Sequence, residues 1–144
     1  MNKEKIGIIG LGKLGLPMLA AFVSRGFDVV GYDLSEKLIT TLRGGVNPYK
    51  EPGIDKVISS DERWCNRFSH ELEKLIEDVD VLFLIVPTPT KGETFDISFL
   101  QNSLNDICTF AVNKNKKLTC VITSTVNPGD TEILQKQIKD KASD

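Results

Sequence analysis

The six residues Gly10-Leu11-Gly12-Lys13-Leu14-Gly15 follow directly on the apolar run Ile6-Gly7-Ile8-Ile9 and lead into a stretch with helical periodicity. Three glycines at this spacing restrict a loop little, but between a strand and a helix they restrict the fold severely. Gly10 permits a tight turn, Gly12 lets a bound group reach the backbone, and Gly15 lets the helix pack close to the strand. The helix start then offers unpaired N–H groups and the positive end of the helix dipole to an anion, a diphosphate above all. An acid, Asp33, ends the next strand 18 residues beyond Gly15. At that position a carboxylate accepts hydrogen bonds from ribose hydroxyls and repels a 2′-phosphate, so the pattern points to NAD rather than NADP.

The rest of the chain alternates in the same way. Lys13 to Arg25 predicts a helix with Leu14, Met18, Ala21 and Phe22 on one stripe, and Pro17 falls in its first turn, where a missing N–H costs little. A second strand is expected over Phe27 to Tyr32 after the helix stop at Gly26, and a second helix over Ser35 to Arg43, closed by Gly44-Gly45. Val46 to Asp55 reads as an irregular connection in which Pro52 opens a short helix, and Arg63 to Ser69 as a third strand. Glu71 to Glu77 and Ile97 to Val112 read as helices around a continuous apolar strand, Val79 to Val86. Leu118 to Thr123 supplies a fifth strand and Thr131 to Lys139 a last helix. Parallel neighbours need long crossovers, so this alternation predicts an α/β, doubly wound (Rossmann-type) parallel sheet of order 3-2-1-4-5. A sixth strand is absent from the pattern, which leaves strand five as an open edge that invites self-association.

Two further segments end at the ligand side of such a sheet. In Val86-Pro87-Thr88-Pro89 the prolines stop the ladder and present Pro87 and the Thr88 hydroxyl beside strand one, where the nicotinamide half would lie. Ser124-Thr125-Val126-Asn127-Pro128-Gly129 ends strand five with two hydroxyls on the same side.

Composition narrows the partners. A net charge of −2 gives no broad basic face and argues against nucleic acid, and the cluster Lys114, Lys116 and Lys117 reads as a solvated turn. The longest apolar stretch, Val81 to Val86, is too short for a membrane span. The start Met-Asn-Lys-Glu-Lys lacks a secretory signal, which suggests the cytoplasm. Cys65, Cys108 and Cys120 form no CxxC pair and read as reduced packing residues, with no metal site. His70 reads as a surface residue and Trp64 as a packing residue.

The segments GLGKLGLP, Asp33, NPYKEPGI, VPTPTKGETFD and STVNPGDTE, in this order and at these separations, resemble the N-terminal NAD-binding domain of the UDP-glucose/GDP-mannose dehydrogenase family. The resemblance covers nearly the whole chain. It implies oxidation of the C6 hydroxyl of a nucleotide-linked sugar to a carboxylate by two hydride transfers to NAD+, with a cysteine capturing the intermediate aldehyde. By the same resemblance Gly10 to Gly15 hold the pyrophosphate, Asp33 the adenosine ribose and Thr88 the nicotinamide side, while Thr125 lies near the reacting carbon as the candidate catalytic residue.

Three departures qualify the resemblance. Leu38 stands where the family often has a basic residue, beside Lys37. The family's catalytic glutamate, lysine, asparagine and cysteine lie beyond the matching segment, and none of the three cysteines here sits in the nucleophile motif. The chain also stops before the family's next strand. All 144 residues are therefore expected to form one NAD-binding domain of a longer enzyme, which binds NAD without completing turnover. Two alternatives stay open: a β-hydroxyacid dehydrogenase of the 6-phosphogluconate and 3-hydroxyisobutyrate type, whose start is similar, and a non-catalytic NAD sensor.

Overall fold

The computed structural model describes residues 4–142. Its backbone is a five-stranded parallel sheet of short strands, of which only the central one, Ile6–Ile9, is buried at every position. Strands β1 (Ile6–Ile9), β2 (Val29–Tyr32), β3 (Phe68–Ser69), β4 (Val81–Leu84) and β7 (Thr119–Ile122) stand in the order β3-β2-β1-β4-β7. Counting main strands alone, this is the expected 3-2-1-4-5. The central strand is in register with both neighbours, Ile6 opposite Val29 and Val81, Ile9 opposite Tyr32 and Leu84. Strand alternation sends Ile6 and Ile8 to one face and Ile9 to the other, so β1 joins two separate apolar clusters.

Helices α1 (Gly15–Ser24), α2 (Glu36–Arg43) and α3 (Ile54–Ser60) cover the first face, and α4 (Leu72–Asp78), α5 (Ser98–Asn113) and α6 (Asp130–Ala142) the second. Helix α2 shows why its sequence stops and starts where it does. The Ser35 hydroxyl accepts a hydrogen bond from the Leu38 N–H at 3.2 Å, Glu36 and Arg43 match the two ends of the dipole, and Gly45 at φ +76° releases the chain.

The face that α1 buries differs from the expected stripe. Gly15, Leu16, Leu19 and Ala20 are buried, Met18 and Phe22 are half-buried, and Leu14 and Ala21 are exposed. The contact at Gly15 sets this rotation: a Cβ there would lie 1.8 Å from the Gly10 carbonyl oxygen, so this side of the helix is the one pressed on the sheet.

The third strand is much shorter than its expected span, Arg63 to Ser69. A single 3-10 turn occupies Trp64–Asn66 and only Phe68–Ser69 joins the sheet. Two inward side chains impose the turn. The Trp64 indole N–H donates to the Leu42 carbonyl at 2.8 Å while its ring meets Phe68 edge to face. Arg67, 5% exposed, donates through Nε and Nη2 to Asp61 and through Nη1 to the Val29 carbonyl at 3.2 Å. This bridge ties the connection after α3 to β2, and the charge-assisted bonds hold the Asp61 carboxyl below the usual carboxylate range.

An antiparallel hairpin, β5 (Thr90–Lys91) with β6 (Thr94–Phe95), follows the prolines after β4 and was not expected. Its clip is Asn127: the side chain accepts from the Phe95 N–H at 3.0 Å and donates to the Phe95 carbonyl at 3.2 Å and to Asp130 Oδ2 at 2.7 Å.

Two smaller expectations are also corrected. Only Cys108 is buried, whereas Cys65 and Cys120 are exposed, because the former follows the inward Trp64 on a surface turn and the latter sits on the uncovered strand β7. The lysine turn is not merely solvated. Lys114 pairs with Glu77 at 3.1 Å, and Lys116 donates to the Glu77 carbonyl at 3.0 Å and faces Asp80 at 3.8 Å, so the turn fastens the end of α5 to the end of α4 and the approach to β4. Trp64 packs in the core and His70 is exposed, both as expected. Among the described residues no helix is long and apolar enough to cross a membrane, and no cluster of three or more potential metal ligands occurs.

Candidate dinucleotide site

The three glycines of the loop do three different things. Gly10 has φ +92°, and a Cβ on it would fall 2.0 Å from the Ile85 carbonyl oxygen, so it lets β1 and the end of β4 close on one another. Gly15 seats α1 on that same turn. A Cβ on Gly12 would meet no protein atom within 4 Å, so this glycine is not required by packing and faces open space.

Beside that space α1 begins without help from the protein. No side chain caps it and no acid lies in its first turn, in contrast to α2. Among the described residues the backbone N–H groups of Gly12, Lys13 and Leu14 have no hydrogen-bond partner. Lys13 is exposed and Leu14 is 53% exposed, whereas Leu11 is fully buried against Gly31 and anchors the loop. Unpaired N–H groups at the positive end of a helix, next to a vacancy kept by a glycine, fit a diphosphate.

Asp33 is held ready at the end of β2. One carboxylate oxygen accepts from the Leu11 N–H at 2.9 Å and the other from the Ser35 N–H at 2.9 Å. Each oxygen has a second lone-pair site, so the group can still accept from two hydroxyls. Burial, and secondarily the charge of Asp33, holds the phenols of Tyr32 and Tyr49 above their ordinary range. The Asp33 carboxylate itself makes this corner acidic, which suits a ribose diol and opposes a further phosphate.

A cavity of about 410 Å3 opens between the ends of β1, β2 and β4 and the amino-terminal half of α5. This is within the usual size of small-molecule sites, about 300–1,000 Å3. Gly10, Asp33 and Pro87 are in its wall, as the strand-end reading anticipates. Leu34, 86% exposed, and Phe99, 52% exposed, add apolar flanks, with Leu72 and Val86 deeper. The reading of the sequence missed all four, and also Asn102, Ser103 and Asp106. The available signal was their spacing with Phe99 on α5, which puts four residues on one helix face.

Thr88, Ser124 and Thr125 are not in this wall; they lie farther along the same edge of the sheet. Thr88 is half-buried and Thr125 exposed. The Ser124 hydroxyl accepts from the Val86 N–H at 3.0 Å and donates to the Val86 carbonyl at 2.8 Å, so it latches the end of β7 to the end of β4.

Residues 4–144 match the NAD-binding domain of the UDP-glucose/GDP-mannose dehydrogenase family. The chain is 34% identical over 137 residues to a putative UDP-glucose 6-dehydrogenase from Bacillus subtilis, covering 93% of this chain and 30% of the relative. It is 32% identical over 131 residues to a UDP-N-acetyl-D-mannosamine dehydrogenase from Pyrococcus horikoshii, covering 89% of this chain and 30% of the relative. The crystal structure of a ternary complex of GDP-mannose dehydrogenase from Pseudomonas aeruginosa superposes with a TM-score of 0.85 at 29% identity, over 97% of this chain and 33% of the other. The chain thus spans about a third of the length of the proteins it matches.

Proposed function

The chain belongs to the UDP-glucose/GDP-mannose dehydrogenase family, whose NAD-binding domain it carries, and from that premise we propose that residues 1–144 form the cofactor-binding part of an enzyme that oxidises the C6 hydroxyl of a UDP- or GDP-linked sugar to a carboxylate. The observation that carries this reading is the vacancy at Gly12 over the uncapped start of α1, with the Asp33 carboxylate presented beside it. Bound NAD+ supplies the hydride acceptor. The N–H groups of Gly12, Lys13 and Leu14 neutralise the diphosphate, Asp33 takes the adenosine ribose, and Leu34 and Phe99 close over the base. Pro87 and Thr88 border the nicotinamide half, and the Ser124 latch keeps the ends of β4 and β7 together beneath it. Thr125, exposed beyond β7, orients substrate or water at the reacting carbon. The sugar and its nucleotide are recognised by segments corresponding to the other two thirds of the relatives. We place the protein in the cytoplasm, with self-association through the free edge of β7.

The test is a titration with both dinucleotides. NAD+ is expected to bind at least about tenfold more tightly than NADP+, since a 2′-phosphate would face the Asp33 charge and lose its hydrogen bonds. Asp33→Ala is expected to weaken NAD+ and to remove most of the discrimination. Equal affinities in the unmodified chain would contradict the role given to Asp33.

A further inference from the structure

We propose that Asn127 is a positioning residue: by clipping the hairpin of β5 and β6 to the start of α6 it fixes the segment Pro87–Pro89, and with it the Thr88 hydroxyl, at the nicotinamide end of the dinucleotide site. The inference rests on the proposed placement of NAD+ and goes one step beyond it, from the residue that borders the ligand to the residue that holds it there.

The segment cannot hold itself. Pro87 and Pro89 have no N–H to give, and among the described residues Thr88 makes no hydrogen bond. Its two ends are held from outside, by the loop that follows β7. On one side the Ser124 hydroxyl grips Val86 through both backbone groups. On the other the Pro89 carbonyl accepts from the Asp96 N–H at 2.8 Å, and the Asn127 amide grips the adjoining Phe95 through both backbone groups, at 3.0 and 3.2 Å. Thr88 is thus set between two side-chain clips.

Of the two, Asn127 decides more. Val86 follows β4, a strand paired on both sides, so the sheet places it whether or not Ser124 helps. The hairpin has no such support. Its strands are two residues long, Thr90, Lys91 and Thr94 are exposed, and a small isolated hairpin is marginal in water. Among the described residues its only hydrogen bonds to the rest of the domain, beyond the chain that continues it, are those to Asn127. That amide is itself aimed. Asp130 Oδ2 accepts from Asn127 Nδ2 at 2.7 Å and from its backbone N–H at 2.8 Å, which leaves Oδ1 for the Phe95 N–H and the second amide proton for the Phe95 carbonyl. Without the clip the hairpin shifts and carries Pro89 with it, and a displacement of about 1 Å breaks a hydrogen bond from Thr88 to a ligand.

The experiment compares NAD+ with ADP-ribose, the same molecule without its nicotinamide, by calorimetry on this chain. The unmodified protein is expected to prefer NAD+ by at least about threefold, the size of one neutral hydrogen bond. Asn127→Ala is expected to bring the two affinities within about 1.5-fold of each other, with ADP-ribose bound as tightly as by the parent. A loss of stability alone would lower both affinities together and leave their ratio unchanged. Thr88→Val is expected to have the same effect, and the two substitutions together no more than either alone, since Asn127 acts through Thr88. Asp130→Asn, whose amide oxygen still accepts, is expected to keep the preference and Asp130→Ala to lose it, which separates aiming of the Asn127 amide from negative charge at the start of α6. Equal affinities in the unmodified chain, a preference that survives Asn127→Ala, or additive losses would overturn the inference while leaving the NAD+ site intact. Failure of the unmodified chain to bind either ligand would overturn both.

Discussion

Gly10→Ala is expected to destabilise the domain by about 3–5 kcal/mol, the sum of a left-handed backbone forced on a residue with a Cβ and an overpacked contact that cannot relax. The structural basis is specific. Gly10 sits at φ +92° and its Cβ would fall 2.0 Å from the Ile85 carbonyl oxygen, which is backbone and cannot swing aside. Either β1 separates from the end of β4 or the turn is remade, and both disturb the centre of the sheet. Gly15→Ala is expected to behave similarly, because its Cβ would lie 1.8 Å from the Gly10 carbonyl. Urea unfolding followed by far-ultraviolet circular dichroism reads the effect as a lowered midpoint. A variant at Gly10 with the parent midpoint would show that the turn is not held as described.

The second large effect is expected at Arg67. Removing this side chain leaves the Val29 carbonyl without its side-chain donor and the Asp61 carboxylate with only the Arg63 N–H at 3.4 Å, a loss of about 3–5 kcal/mol for breaking a nearly closed pair. The same bridge sets a pH dependence. The folded Asp61 carboxyl is held below its ordinary value, first by the hydrogen bond from Arg67, so the folded state favours the ionised form. Its contribution to stability is therefore full above the ordinary carboxylate value, about pH 4, and is lost as pH falls through the depressed one. In Arg67→Ala this part of the acid limb of the stability profile is expected to flatten. An unchanged acid limb would assign the acid sensitivity to other carboxylates.

Much of this architecture is legible in the sequence, for reasons that differ by element. The parallel order followed from spacing alone, since strands separated by helices can pair only through crossovers. The glycine loop was legible because its function is local: Gly10, Gly12 and Gly15 act within six residues, and Asp33 returns to them at the end of the neighbouring strand. The far wall of the cavity was hidden for the opposite reason. Asn102, Ser103 and Asp106 lie on a polar helix face, and in sequence a face that borders a cavity looks the same as one that borders water. The hairpin at Thr90 to Phe95 escaped because two-residue strands with mostly exposed side chains carry no hydrophobic alternation, and its stability comes from Asn127, a residue remote in the chain. The exposed Leu14 shows the limit of a helical stripe. Periodicity gives the width of an apolar face, but the contact between Gly15 and Gly10 decides which way α1 is turned.

Gly12 separates folding from binding more cleanly than any other position. It is not among the glycines with positive φ and its Cβ would touch nothing, so Gly12→Val is expected to fold as the parent does, while its side chain fills the space assigned to the diphosphate. Titrating NAD+ into the parent and Gly12→Val by calorimetry, with melting temperatures taken on the same samples, tests the whole account. The prediction is saturable binding to the parent and at least about a tenfold loss of affinity in the variant, from steric exclusion at an otherwise intact site. A well-folded parent that gives no heat with millimolar NAD+, or a Gly12→Val chain that binds as tightly as the parent, would contradict it.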